Sequence, residues 1–79
     1  MVTVHREGGL RFVIFIDDHA PAHVHVFGDG TAKINLSGEE AAPELVYAAG
    51  MKAGDLRKAM RIVAARHDEM MEKWSEIHG

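Results

Sequence analysis

The sequence of 79 residues contains no cysteine. Neither a disulfide framework nor a thiolate metal site can therefore form, which fits a reducing compartment. No apolar run approaches the roughly 20 residues of a membrane span, and the N-terminus lacks the charged-then-apolar pattern of a signal peptide. We therefore expect a cytoplasmic protein that does not enter a membrane.

An excess of positive charge is also missing, since the formal net charge is −3. This balance argues against non-specific binding to nucleic acid or to anionic membranes. The sequence has no glycine-rich phosphate loop, no nucleophile elbow and no His-Glu-x-x-His helix. These absences weigh against an enzyme of the common nucleotide-binding and hydrolytic classes.

The composition, 47% apolar and 27% charged, is that of one soluble globular domain over residues 1–79. Segments rich in β-branched and aromatic residues predict strands at about residues 10–16, 23–27, 32–36 and 45–49. A further short strand is a candidate at Val2–His5, before a turn at Gly8 and Gly9. This pattern predicts an antiparallel β-meander of three to four strands.

Apolar residues recur at intervals of three and four in the last third of the chain. They predict one long helix over about residues 55–77, with Asp55 or Gly54 as its N-cap. Such a helix would cover one face of the sheet, which gives an α+β fold. His67 and Trp74 fall on the apolar stripe, and we interpret both as core residues, with one nitrogen of His67 hydrogen-bonded.

The segment Gly28–Gly30 predicts a hairpin turn but leaves two registers open. A two-residue turn would place His25 opposite Ile34, whereas a three-residue loop with its last glycine left-handed would place Val24 there. A shift of the strand pairing by one residue moves every side chain of the strand to the opposite face of the sheet. We favour the three-residue loop, because it groups the apolar residues on one face and leaves His23 and His25 together on the other.

Three of the six histidines lie within seven positions. His23 and His25 are two apart on a predicted strand, so they leave one face about 6–7 Å apart. Imidazole is the commonest protein ligand for metals such as zinc, and Asp18, Asp17 or His19 could complete the shell. The alternatives are a binding site for another ligand, with His19 at its rim, and histidines that only hold the loop by hydrogen bonds.

A catalytic role for the same pair is a further alternative. His23 and His25 could act as general base and general acid in phosphodiester cleavage. That chemistry needs a cation for the charge that develops on phosphorus, which Arg11 or Lys33 could supply. No spacing in the sequence singles out either residue, so catalysis is the less favoured interpretation.

Arg57, Lys58 and Arg61 form a basic group in the first half of the predicted helix, where the helix macrodipole favours acidic residues. We therefore expect these three side chains to bind an anionic partner. The alternative is pairing within the chain, with Glu39, Glu40 or Glu44.

The predicted sheet has more apolar surface than one helix covers. Val13, Phe15 and Phe27 are left for the uncovered face, and exposed apolar area of this kind marks interaction surfaces. We therefore predict self-association, as a homodimer.

Two motifs give the sequence a resemblance to a known family. The segment Asp18–Val26 (DHAPAHVHV) resembles the "DH-x-PPH-x-HV" signature of the small bacterial domain-of-unknown-function family 4160, and the likeness continues through Gly28-Asp29 and Ala32. His67–Trp74 (HDEMMEKW) resembles that family's "H-[RE]-EELL-x-[ND]-W" end. Ala22 departs from the signature, which commonly has a second proline there.

The resemblance implies a bacterial protein of a family without an established activity. Members are often encoded beside another small uncharacterised domain, which implies a regulatory or toxin–antitoxin-like two-gene unit. We interpret the chain as a cytoplasmic binding or regulatory module with a protein partner and a histidine-lined strand as its working surface. No cofactor is assigned beyond a divalent metal such as zinc as a candidate. The alternatives are a histidine-dependent nuclease or phosphodiesterase and a purely structural subunit.

Overall fold

A computed structural model, which describes residues 1–36 and 42–79, contains a five-stranded antiparallel sheet and two helices. The elements are β1 (Val2–Glu7), β2 (Leu10–Ile14), β3 (His23–Phe27), β4 (Thr31–Asn35), β5 (Glu44–Ala49), α1 (Ala53–Ala65) and α2 (His67–His78). The strands lie in the sheet in chain order, as a meander. The α+β class and the antiparallel sheet are confirmed, whereas the expected three to four strands and one helix are wrong.

The additional strand is the opening segment, which runs to Glu7 and joins β2 through a tight turn. Gly8 and Gly9 in this turn have φ of 59° and 80°, a left-handed conformation that glycine adopts without steric strain. β2 ends two residues before the predicted Ile16, because the backbone turns at Phe15. The Phe15 N–H donates to Oδ2 of Asp18, 3.0 Å away, instead of to a neighbouring strand.

The hairpin between β3 and β4 has the favoured register, with Val24 opposite Ile34 and Val26 opposite Ala32. The prediction of a left-handed Gly30 is wrong, since Gly30 has no positive φ. The residue is glycine for another reason: a Cβ there would collide with the backbone of Gly50, after the end of β5.

The helices pack on the face of the sheet that the register groups as apolar. The core consists of residues from β2, β3 and β4, from the segments next to these strands and from both helices. Its almost fully buried members include Phe12, Ile14, Val24, Val26, Ile34, Leu36, Ala59, Val63 and Met70. Each large side chain buried in this way contributes about 1.5–3 kcal/mol relative to exposure. This face is the main source of the domain's stability.

The opposite face is less open than the sequence suggested. Val13 is fully buried, and Phe15 and Phe27 are half-buried. The two phenyl rings pack edge to face with centroids 6.5 Å apart, and the Arg11 guanidinium lies 5.4 Å from the centre of the Phe27 ring. These three apolar residues are therefore not the exposed surface on which the dimer prediction was based.

The predicted single helix is two helices, broken at Arg66 with φ −114° and ψ 25°. A straight helix over residues 53–78 would be about 39 Å long, whereas the longest dimension of the domain is 33 Å. The first helix begins at Ala53 after Lys52, with no side-chain cap, so the predicted cap at Asp55 or Gly54 is wrong. Within the described ranges, no helix is long and apolar enough to cross a membrane.

Candidate metal centre

Three of the predicted site residues converge beside the start of β3. Nε2 of His23 lies 3.2 Å from Oδ2 of Asp18, and Nε2 of His25 lies 3.6 Å from Oδ1 of the same carboxylate. One ligand atom from each residue lies within 4.8 Å of the other two. The strand places the two imidazoles on one face, and the loop before it brings the carboxylate to them.

Asp18 is held in place by a turn that follows β2. Its backbone N–H donates to the Phe15 carbonyl (3.1 Å), and its carboxylate accepts the Phe15 N–H (3.0 Å). Burial alone would raise the pKa of Asp18, but the Phe15 hydrogen bond and the nearby His23 and His25 outweigh it and hold that pKa below its ordinary value. At neutral pH the site therefore contains a carboxylate anion.

His23 has a ring orientation that is set by the backbone. Its side chain is only 3% exposed, and Nδ1 lies 2.8 Å from the Pro21 carbonyl oxygen. A carbonyl only accepts, so Nδ1 carries a hydrogen and donates it, which leaves the lone pair of the neutral ring on Nε2. This lone pair faces the Asp18 carboxylate, which is also an acceptor. The arrangement is favourable only when a proton or a metal ion lies between the two atoms.

His25 contributes a nitrogen that lacks a partner. Its Nε2 is buried and makes no hydrogen bond with any described group. The ring packs edge-on against Phe15, with centroids 4.8 Å apart, and against His23 at 5.2 Å. Burial lowers the pKa of His25, and the Asp18 carboxylate opposes this shift only in part. His25 is therefore neutral at pH 7, the form in which imidazole binds metals.

The dimensions of the cluster suit a transition metal. Zinc binds imidazole nitrogen and carboxylate oxygen at about 2.0–2.2 Å, so neighbouring ligand atoms of a tetrahedral site lie about 3.3 Å apart. The two nitrogen–oxygen distances, 3.2 Å to Oδ2 and 3.6 Å to Oδ1 of Asp18, are close to that value, and the three ligand atoms all lie within 4.8 Å of one another. Calcium and magnesium prefer all-oxygen sites, so two imidazoles favour zinc or a similar divalent ion.

The other predicted ligands lie outside the cluster. Asp17 and His19 are both exposed on the loop. His19 lies instead beside a surface groove of about 390 Å³, which it lines together with Asp18, Ala20, Trp74, Ser75, His78 and Gly79. Its predicted place at the rim of the site remains compatible with this geometry, because Asp18 belongs to both the groove and the cluster.

Two residues of α2 border the site without having been predicted to do so. The Trp74 ring lies 5.1 Å from the His23 ring, and the His78 ring stacks on Trp74 at 3.9 Å. Nδ1 of His78 donates to the Trp74 carbonyl (3.2 Å), and its Nε2 is buried without a hydrogen bond to the described residues. The sequence did contain a signal for this pair: Trp74 and His78 are four residues apart, and this spacing places two side chains next to each other on a helix.

His67 has a structural role, but the interpretation as a core residue with one hydrogen-bonded nitrogen is confirmed only in part. Its ring is half-buried and outside the core cluster, Nε2 hydrogen-bonds the Leu36 carbonyl just after β4, and Nδ1 lies 3.2 Å from Oδ1 of Asp68. The contact with Leu36 joins the start of α2 to the sheet. His67 is therefore separate from the metal-ligand candidates.

The basic group is partly engaged within the domain. Lys58 donates to the Gly8 carbonyl (2.8 Å) and lies 3.7 Å from a carboxylate oxygen of Asp55. Arg57 and Arg61 are exposed, and no ion pair joins them to an acidic residue in the described part of the chain. The predicted pairing partners Glu39 and Glu40 lie outside the described residues.

A small antiparallel meander with two C-terminal helices and a carboxylate between two histidines defines an α+β domain with a candidate metal centre. The chain belongs to the family described as Domain of unknown function (DUF4160), whose model matches residues 9–75. The matched region includes the whole cluster and confirms the resemblance. No curated protein and no solved structure matches the chain.

Proposed function

We propose that this domain is a metal-binding module that holds one divalent transition metal ion, with zinc as the best fit. Asp18, His23 and His25 are the ligands. The observation that carries the proposal is the convergence of two imidazole Nε2 atoms on one carboxylate, with the His23 lone pair facing an acceptor and His25 unpartnered. A cation placed among the three residues would satisfy all of them.

The hydrogen bond from His23 to the Pro21 carbonyl supports this proposal. Metal-binding histidines almost always donate their other ring N–H to a carbonyl or carboxylate, which fixes the tautomer and the orientation of the ring. His23 has this arrangement, with Nδ1 2.8 Å from the carbonyl oxygen. The ring is thus already oriented for ligation through Nε2.

Three protein ligands leave at least one coordination position of a tetrahedral ion for water or another molecule. The groove lined by His19, Trp74 and His78 adjoins Asp18 and gives access from solvent. We propose that this position is the working surface of the module, where a partner or ligand contacts the metal. A regulatory role, as the family resemblance implies, would follow from the binding and release of this partner or ligand at the metal.

The two alternatives are less well supported. A purely structural role leaves the buried Nε2 of His25 without a partner, which costs about 1–3 kcal/mol. A histidine-dependent phosphodiesterase needs two imidazoles that reach the substrate, whereas His23 is 3% exposed and both of its nitrogens face protein oxygens. The net charge of −3 also disfavours a nucleic-acid substrate.

Calorimetric titration of chelator-treated protein with zinc sulfate tests the proposal. We expect one ion per chain. Mutation of a group that only supports a metal ligand weakens metal binding by roughly 10–100-fold. Asp18→Asn, His23→Ala and His25→Ala each remove a ligand itself, so each should weaken zinc binding by more than that. His19→Ala is the matched control, because it removes an exposed histidine one residue from Asp18 and should leave the affinity unchanged.

Asp18→Asn is the most informative of these variants. Its side-chain oxygen can still accept the Phe15 N–H, so the turn is preserved while the charged ligand is lost. Absence of zinc binding by the wild type would contradict the proposal. So would equal affinities of the His25→Ala and His19→Ala proteins, since the bound ion would then lie elsewhere.

A further inference from the structure

The face of the sheet opposite the helix-covered core carries a group of basic side chains. Residues that pair directly across neighbouring strands project from the same face. Arg6 pairs with Arg11, which pairs with Phe27, and Lys33 pairs with His25, two residues before Phe27 on β3. Arg6, Arg11 and Lys33 therefore lie together on this open face, which also carries the two histidines of the candidate metal centre.

These three cations are not neutralised by the domain itself. In the part of the chain that the structure describes, none of them forms an ion pair with a carboxylate. Of the described strand residues, only Glu44 is an acid that the pairing places on the open face, opposite Asn35 at the end of β4. The open face therefore has a local excess of positive charge.

The net charge of −3 describes the whole chain and not this face. Four exposed acidic residues lie on α2, which packs on the other side of the sheet: Asp68, Glu69, Glu72 and Glu76. A ligand responds to the local potential of the surface that it meets, to which distant, screened carboxylates contribute less than nearby cations. The open face can therefore attract an anion although the chain as a whole is negative.

Aromatic rings accompany the cations on the open face. Phe27 is half-buried, and its ring centre lies 5.4 Å from the guanidinium carbon of Arg11. Tyr47 pairs with Lys33 across the last two strands and is 47% exposed. Single-stranded nucleic acids are bound by this combination, in which cations contact phosphates and aromatic rings stack on bases. An acidic peptide would pair with the cations but has no bases to stack on the rings.

We propose that the open face binds single-stranded nucleic acid, with Arg6, Arg11 and Lys33 on phosphates and Tyr47 stacked on a base. Neighbouring strands are about 4.8 Å apart, so Arg6 on β1 and Tyr47 on β5 are about 19 Å apart across the sheet. One nucleotide adds only a few ångströms to a strand, so an oligomer rather than a free nucleotide reaches all four residues. The proposal does not depend on the metal centre.

Fluorescence anisotropy of labelled oligouridine and oligothymidine, each of about ten nucleotides, tests the proposal with chelator-treated protein. We expect binding at low salt, with a slope of about −2 for log K against log salt concentration, because three neutralised phosphates contribute about 0.7 each. Arg11→Gln should weaken binding and make the slope shallower by about 0.7. Arg61→Gln is the matched control, since Arg61 is an exposed arginine on α1 and its loss should leave affinity and slope unchanged.

Tyr47→Leu separates stacking from charge. It keeps an apolar side chain at an exposed position but removes the ring, so binding should weaken roughly fivefold or more while the salt slope stays the same. Lys33→Gln replaces Arg11→Gln as the charge variant if the latter does not fold as judged by circular dichroism. The tighter of the two oligomers identifies the preferred sugar.

Four results would overturn the proposal. The first is no binding of either oligomer at the lowest salt concentration. The second is an equal loss of affinity in Arg61→Gln, which would place the contact on the helices. The third is wild-type affinity of Tyr47→Leu, and the fourth is equal competition by a duplex of the same length, because paired bases are not free to stack on the open face.

Discussion

The two faces of β3 have opposite characters although they alternate along the same five residues. Val24 and Val26 are fully buried in the apolar core that the sheet forms with the helices. His23 and His25 project from the other face onto a carboxylate and two aromatic rings. On the first face every buried side chain is satisfied by packing, whereas on the second a buried nitrogen lacks a partner.

Within this one strand, the apolar face contributes to stability and the other face carries the candidate metal ligands. Packing of apolar side chains stabilises a fold without any external group. A buried polar atom without a partner destabilises the fold until something binds it. The helix-covered face therefore contributes most of the apolar packing, while the histidine face contains the groups that we propose bind a metal ion.

The largest expected effect belongs to the covered face. Phe12 is fully buried there, and Phe12→Ala should lower the free energy of unfolding by about 3–5 kcal/mol, through lost burial and the cavity left behind. Phe27→Ala is the matched control on the other face, where the ring is half-buried, and should cost less than about 2 kcal/mol. Urea denaturation measures both values. Equal losses would mean that the two faces contribute alike to stability.

The second prediction compares the two histidines in chelator-treated protein. His23→Ala should cost about 1–3 kcal/mol, because it removes the hydrogen bond to the partly buried Pro21 carbonyl and the packing of the buried ring against Trp74. His25→Ala should cost less than about 1 kcal/mol, since Nε2 has no hydrogen bond to lose. Thermal unfolding with chelator present gives the comparison. A larger loss for His25→Ala would show that His25 is primarily structural.

Much of the covered face could be predicted from the sequence, because alternation in a strand has a period of two residues. Only one hairpin register buries Val24 and Val26 together with Ile34, so the pairing followed from the apolar pattern. The same alternation placed His23 and His25 on a common face. The predictions that were confirmed on this strand all rest on patterns among residues close together in the sequence.

What could not be predicted depends on contacts distant in sequence. The sequence Ala64-Ala65-Arg66 consists of good helix formers, so nothing local signals the break between α1 and α2 at Arg66. Trp74, far along the chain, covers His23, and alternation alone suggested that this histidine was exposed. The choice of Asp18 over Asp17 as the cluster's carboxylate depends on a turn whose hydrogen bonds to Phe15 are not encoded in spacing.

The smallest expected effect is a dependence of stability on pH that arises on the histidine face. In the folded protein burial lowers the pKa of His25, and Asp18 opposes this only in part, while the unfolded chain regains the ordinary value near 6.5. As the pH falls below about 6.5, the unfolded state therefore takes up the proton first, and the free energy of unfolding decreases. The decrease ends once the folded His25 is also protonated.

Asp18, whose pKa is lowered as well, contributes in the same direction only in the more acidic range, near and below its ordinary pKa of about 4. Urea denaturation of chelator-treated protein between pH 7.5 and 5 measures the slope, and His25→Ala should make it shallower. An unchanged slope in that variant would assign the dependence to other groups and remove this distinction between the two faces.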